Sequence, residues 1–121
     1  MALPDSEIDR SVLQALRELP SPDGRSMIAC VAELFAQDAP PLLLQMQQAA
    51  ERDDWRALAA AAHALKSYAG NVGATRFAEQ LRSLEQAAKA GDIPACRLLL
   101  APLVGTCSAV VSALAQEAAC P

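Results

Sequence analysis

The chain has 121 residues, 53% hydrophobic and 20% charged, which suits one buried core and argues against two domains or wholesale disorder. A formal net charge of −4 and a pI near 4.8 disfavour nucleic acid or an anionic membrane as the main partner. No apolar run approaches the roughly 20 residues of a membrane span, and Met1-Ala2-Leu3-Pro4-Asp5 has neither the basic nor the apolar region of a secretory signal.

Alanine and leucine dominate, and Phe35, Trp55, Tyr68 and Phe77 are the aromatics. This is a helical composition, because β-branched residues are few and rarely alternate with polar ones. Ser6-Glu7-Ile8-Asp9 resembles an acidic capping box, after which Ile8, Val12, Leu16 and Leu19 recur at helical spacing. Pro20-Ser21-Pro22-Asp23-Gly24 ends that helix. A second helix is predicted from Arg25 to Ala39 with Ile28, Val31, Ala32 and Phe35 inward, and Pro40-Pro41 breaks or restarts it. Leu42 to Glu51 forms a third. Asp53 or Asp54 caps a fourth, running through Trp55, Leu58, Ala62 and Leu65 to Val72.

Gly73 separates that helix from a fifth, in which Phe77, Leu81, Leu84 and Ala88 make one stripe and Gly91 closes the end. From Ile93 to Ala118, Leu100, Leu103, Cys107, Val110 and Leu114 form a bundle seam, with a kink or break at Pro102 or Gly105. The expectation is one all-α domain over 1–121: an antiparallel up-and-down four-helix bundle at 25–118 with one or two short N-terminal helices, the segment 5–24 serving as cap and linker. Cys30, Cys96, Cys107 and Cys120 are scattered and lack a Cys-x-x-Cys spacing. They read as small buried hydrophobes in a reducing, cytoplasmic setting, not as a disulfide framework or zinc site.

His63 is the only histidine. Leu58, Ala61, Ala62, Leu65, Ala69 and Val72 cluster on one side of its helix, and His63 points about 150° from the centre of that stripe. It therefore faces solvent. Ala59, Ala60, Ser67 and Gly70 surround it at offsets of three, four and seven residues. All are small, so a flat partner surface can close on the ring, where larger side chains would hold it off. Lys66 lies nearer the core side. A neutral imidazole in that setting is a competent nucleophile.

The run His63-Ala-Leu-Lys66-Ser67-Tyr-Ala-Gly70-Asn71-Val72-Gly73-Ala74 resembles the signature of histidine-containing phosphotransfer (HPt) domains. Leu81-x-x-Leu84-Glu85 with Gly91-Asp92, and Phe35 through Pro40-Pro41, resemble the flanking helices, so the likeness covers nearly the whole chain. Two positions depart from the commonest pattern: Ser67 replaces a glycine, and Tyr68 stands where a small residue is frequent. Tyr68 lies about 140° from His63 and is expected beside the core.

The resemblance implies that His63 accepts a phosphoryl group from the aspartate of a response-regulator receiver domain and passes it to another. Lys66 would offset the phosphoryl charge, Glu85 would hold the His63 ring in one tautomer, and Ala59, Ser67 and Gly70 would form the docking surface. Glu85 has a second reading, a boundary ion pair with Arg82 or Lys89. No nucleotide loop or Mg²⁺-type carboxylate cluster is present, so no cofactor is expected on this chain, and Mg²⁺ belongs to the receiver. An isolated domain would be monomeric, either free-standing or the module of a hybrid sensor kinase. The alternatives are a non-catalytic adaptor docking through the same face, and a metal-binding bundle built on His63 and cysteines.

Overall fold

The computed structural model describes residues 8–20 and 26–119, and among these it is helical throughout with no strand. Six helices follow in order: α1 (Arg10–Glu18), α2 (Met27–Glu51), α3 (Trp55–Asn71), α4 (Thr75–Ala90), α5 (Ile93–Leu100) and α6 (Leu103–Ala119). Four begin at a side-chain cap: the Asp9, Ser26, Asp54 and Asp92 oxygens accept from the backbone N–H of Ser11, Ala29, Ala57 and Ala95. Each cap satisfies one of the N–H groups that the first helical turn leaves without a partner. Asp54, not Asp53, caps α3. Gly91 ends α4 in the left-handed region at φ 72°, as its predicted C-terminal position requires.

Short connections at 52–54, 72–74 and 91–92 turn α2, α3 and α4 back on one another, and α5–α6 completes the bundle. The core contains the predicted Phe77, Leu81, Leu84 and Ala88 stripe of α4, Leu58, Ala62 and Leu65 of α3, and Phe35 of α2. Phe35 and Phe77 meet edge to face at 6.5 Å between ring centroids, an arrangement that adds to simple burial. Cys96 and Cys107 are buried, and burial raises both thiol pKa values. Cys120 lies outside the described residues.

Several expectations are corrected. Pro40 and Pro41 do not break the chain into two helices; α2 runs through both. The prolines remove two N–H donors, but Ala36 and Gln37, whose carbonyls lose those donors, are exposed and can bond water. On the opposite face Phe35, Ala39, Leu43 and Met46 are buried and hold the helix on course. The last segment, by contrast, breaks at Ala101-Pro102 as expected, with Gly105 inside α6.

One short helix, α1, precedes the bundle among the described residues. Its buried residue is Leu13, with Ile8 and Leu16 only partly covered and Leu19 exposed. Ser6, Glu7 and residues 21–25 lie outside the described residues. Two stretches, Met27–Glu51 and Ile93–Ala119, are long and apolar enough to cross a membrane by length and composition, contrary to the reading from apolar runs alone. In the bundle each turns an apolar face to the core, where Phe35, Met46, Leu103 and Leu114 are fully buried.

At one end, α1 is fastened to the bundle. The Asp9 N–H donates to the Gly73 carbonyl at 2.8 Å. Glu117 near the end of α6 accepts from Arg10 at 2.7 Å and Arg17 at 2.8 Å. Gly73 has φ 80°, and a Cβ there would lie 2.9 Å from Val12 Cβ. The α3–α4 turn thus requires glycine twice over: for its backbone and for its contact with α1.

Candidate functional site

The site is built by α3 and α4. Ala59 and Ala62 on α3 and Ala88 on α4 are buried, and small side chains at a helix contact allow the two backbones to approach closely. The stripe of Phe77, Leu81, Leu84 and Ala88 faces the core, and Glu85 sits at its edge beside Leu84. That rotation carries the Glu85 carboxylate beneath the His63 ring. The Glu85 side chain is only 7% exposed, whereas His63 is 61% exposed.

Three nitrogens converge on the Glu85 carboxylate. His63 Nδ1 lies 3.1 Å from Oε2, Lys66 Nζ donates to Oε1 at 2.8 Å, and Lys89 Nζ donates to Oε2 at 2.9 Å. Burial pushes the Glu85 pKa up, but hydrogen bonds from Lys66 and Lys89, with their positive charges, outweigh it and hold the carboxyl at about 2. Glu85 is therefore ionised at neutral pH. An ionised carboxylate only accepts, so the neutral ring carries its proton on Nδ1. Nε2 is left with its lone pair available on an exposed ring.

Glu85 is within hydrogen-bond distance of His63 and also makes the boundary ion pair with Lys89. Arg82 pairs instead with Glu79 at 3.6 Å. Lys66 is not simply solvated, because its ammonium is anchored on Glu85 and its side chain is 29% exposed. That Lys89 and His63 reach the same carboxylate oxygen is not readable from the sequence, where only the four-residue spacing of Lys89 from Glu85 points to a pair.

The small residues around His63 differ in exposure. Ala60, Ser67 and Gly70 are exposed, a Cβ added at Gly70 would meet nothing within 4 Å, and the Ser67 hydroxyl folds back to donate to the His63 carbonyl at 3.3 Å. Ala59 does not belong to the exposed collar. It is 7% exposed, because α4 covers that side of α3, and it floors an open cleft of ≈ 720 Å³ beside His63. Trp55, Arg56, Ala60, Glu85, Ala88 and Lys89 complete the lining. Tyr68 is 37% exposed and does not join the core, since it stands about 70° from the centre of the buried stripe, at its margin.

Among the described residues no group of three His, Cys, Asp or Glu side chains is placed to hold a metal ion. No curated protein matches the chain. The family comparison matches the Hpt domain over residues 31–118, from within α2 to the end of α6 and with the His63 site at its centre. The chain belongs to the Hpt domain family, whose function is phosphotransfer in two-component signalling.

Proposed function

We propose that His63 is the phosphoryl carrier of a phosphorelay, exchanging the group with the aspartates of response-regulator receiver domains. The observation that carries this reading is the exposed His63 ring with Nδ1 directed at the ionised, buried Glu85. In the forward step the Nε2 lone pair forms a bond to phosphorus as the P–O bond of the receiver's aspartyl phosphate breaks, and the carboxylate leaves with the bonding pair. Nδ1 keeps its proton, the ring becomes an imidazolium, and Glu85 stabilises that charge. In the return step a receiver carboxylate oxygen attacks phosphorus, and the N–P electrons go back to Nε2.

Lys66 neutralises part of the charge around the transferring group. Ser67 and Gly70 leave room for the receiver, with Ala59 in the cleft floor beneath it. In-line transfer needs charge neutralisation, and Mg²⁺ bound by the receiver supplies it. The proposed setting is cytoplasmic, and the reading applies equally to a free-standing protein and to a module of a hybrid sensor kinase.

The test is incubation with a panel of phosphorylated receiver domains, following label on the wild type and on His63→Gln. Acid-labile, base-stable label on the wild type alone is expected. Label that persists on His63→Gln would refute the assignment. Receivers that bind without ever labelling the wild type would replace it with an adaptor role.

A further inference from the structure

The two longest stretches of the sequence without a charged side chain are residues 39–50 and 98–116. The fold lays them side by side, on α2 and on α5–α6. Both belong to stretches apolar enough to cross a membrane, yet only 28% of the apolar window of each is buried in the bundle. Leu44 and Val104 are 53% and 47% exposed and line one groove of ≈ 270 Å³ between α2 and α6. Pro40, Gln47, Ser108 and Val111 lie along the same groove. The outer face of a surface helix ordinarily carries charge, as α3 and α4 do at the exposed Arg56, Glu79, Arg82 and Lys89.

We propose that the α2–α6 face docks a second copy of this chain, giving a symmetric dimer where the family resemblance implies a monomer. The site of His63 lies on α3 and α4, across the bundle from this face, so both histidines stay outward and the inference does not depend on the phosphotransfer reading. Charge selects the occupant. Each chain carries a net charge of −4, and an uncharged face lets two such chains meet without desolvating an ion or opposing like charges.

One end of the face is also self-complementary. Glu51 and Arg97 line a second depression there, beside Leu44. A two-fold axis running along the groove sets α2 of one copy over α6 of the other and keeps like ends together. Each Glu51 then faces the Arg97 of the other copy. Within its own chain Arg97 pairs with Asp53 at 3.5 Å, both side chains more than half exposed, and such a pair holds its arginine weakly.

The area sets the strength. Ala36 to Glu51 on α2 and Val104 to Ala118 on α6 are each about 22 Å long, and two helices side by side are about 20 Å wide. The footprint of roughly 450 Å² falls short of the about 800 Å² per partner of a standard interface. The dimer is therefore weak, with a dissociation constant of about 10–200 µM.

The test is sedimentation equilibrium of the whole chain from about 5 to 500 µM, with the wild type passing from monomer to dimer. Ser108→Glu and Leu44→Glu, one on each helix, should each weaken association at least about tenfold. Both positions are exposed, so both variants should melt as the wild type does. Ser83→Glu adds the same charge at an exposed position of α4 and should associate normally. Glu51→Lys should weaken association severalfold, and adding Arg97→Glu to it should restore the wild-type value.

A wild type that stays monomeric at about 500 µM would overturn the proposal, and its binding to phosphatidylcholine vesicles in that case would assign the face to lipid. An equal loss in Ser83→Glu would overturn it too, because added charge alone would then explain the effect. Failure of the double exchange to restore association would overturn the arrangement that sets Glu51 against Arg97.

Discussion

Replacing Glu85 with glutamine keeps the shape of the side chain and removes its charge. In the folded protein the Glu85 carboxyl lies at about 2, against an ordinary value of 4.5. At 1.36 kcal/mol per pH decade the difference corresponds to about 3 kcal/mol of folding stability at neutral pH. His63 and Lys89 are both largely exposed, and solvent screening of those contacts reduces the expected loss to about 1–2 kcal/mol, or roughly 3–10 °C in melting temperature for a domain of this size. The sign with pH is fixed by the direction of the shift. A carboxyl depressed on folding contributes fully above its unfolded value near 4.5, and the contribution disappears as pH falls through about 2. Urea unfolding of the wild type and Glu85→Gln should therefore show a gap at about pH 7 that closes towards pH 2.5. Asp9, whose carboxyl is also lowered by hydrogen bonds from Ser11, titrates in both proteins and cancels. A gap of unchanged size across that range, or none at neutral pH, would refute the electrostatic account of Glu85.

Two further outcomes concern the scaffold. Gly73→Ala should cost about 1–3 kcal/mol, since φ is 80° and the new Cβ would lie 2.9 Å from Val12 Cβ; hydrogen exchange should show residues 10–18 losing protection before α3 and α4 do. Pro41→Ala should stabilise the protein by about 1–2 kcal/mol, restoring a helical N–H at an exposed position, less than the roughly 3 kcal/mol of the full proline penalty because the unfolded chain regains freedom. A lower denaturation midpoint for Pro41→Ala would mean that the proline ring contributes packing of its own.

Much of the fold is written locally. Asp54 and Gly91 specify helix ends through their own side chain or lack of one, and the stripe from Phe77 to Ala88 specifies the inward face of α4 by period alone. The outward aim of His63 follows from the same helical count. What period cannot supply is the distance between helices. Ala59 counts as exposed on its own helix and becomes buried only because Ala88 allows α4 to lie close. The continuity of α2 through Pro40-Pro41 likewise depends on Phe35, Ala39, Leu43 and Met46 being gripped from across the core. The pairing of Glu85 with His63 was legible through its edge position and the family resemblance. The convergence of Lys89 on the same oxygen was not, since it combines an intrahelical spacing with an interhelical one.

All the groups that converge on Glu85, from His63 to Lys89, lie on two consecutive helices joined by the turn at 72–74, and α3 with α4 makes the most extensive interhelix contact in the bundle. The reactive geometry is consequently of low contact order: it depends on closing one short loop and not on bringing distant parts of the chain together. The helical hairpin can form early in folding, and it can persist while α1 or the far end of α6 opens locally. Changes at those outer elements should alter how long the molecule survives before they alter the spacing between the imidazole and its carboxylate.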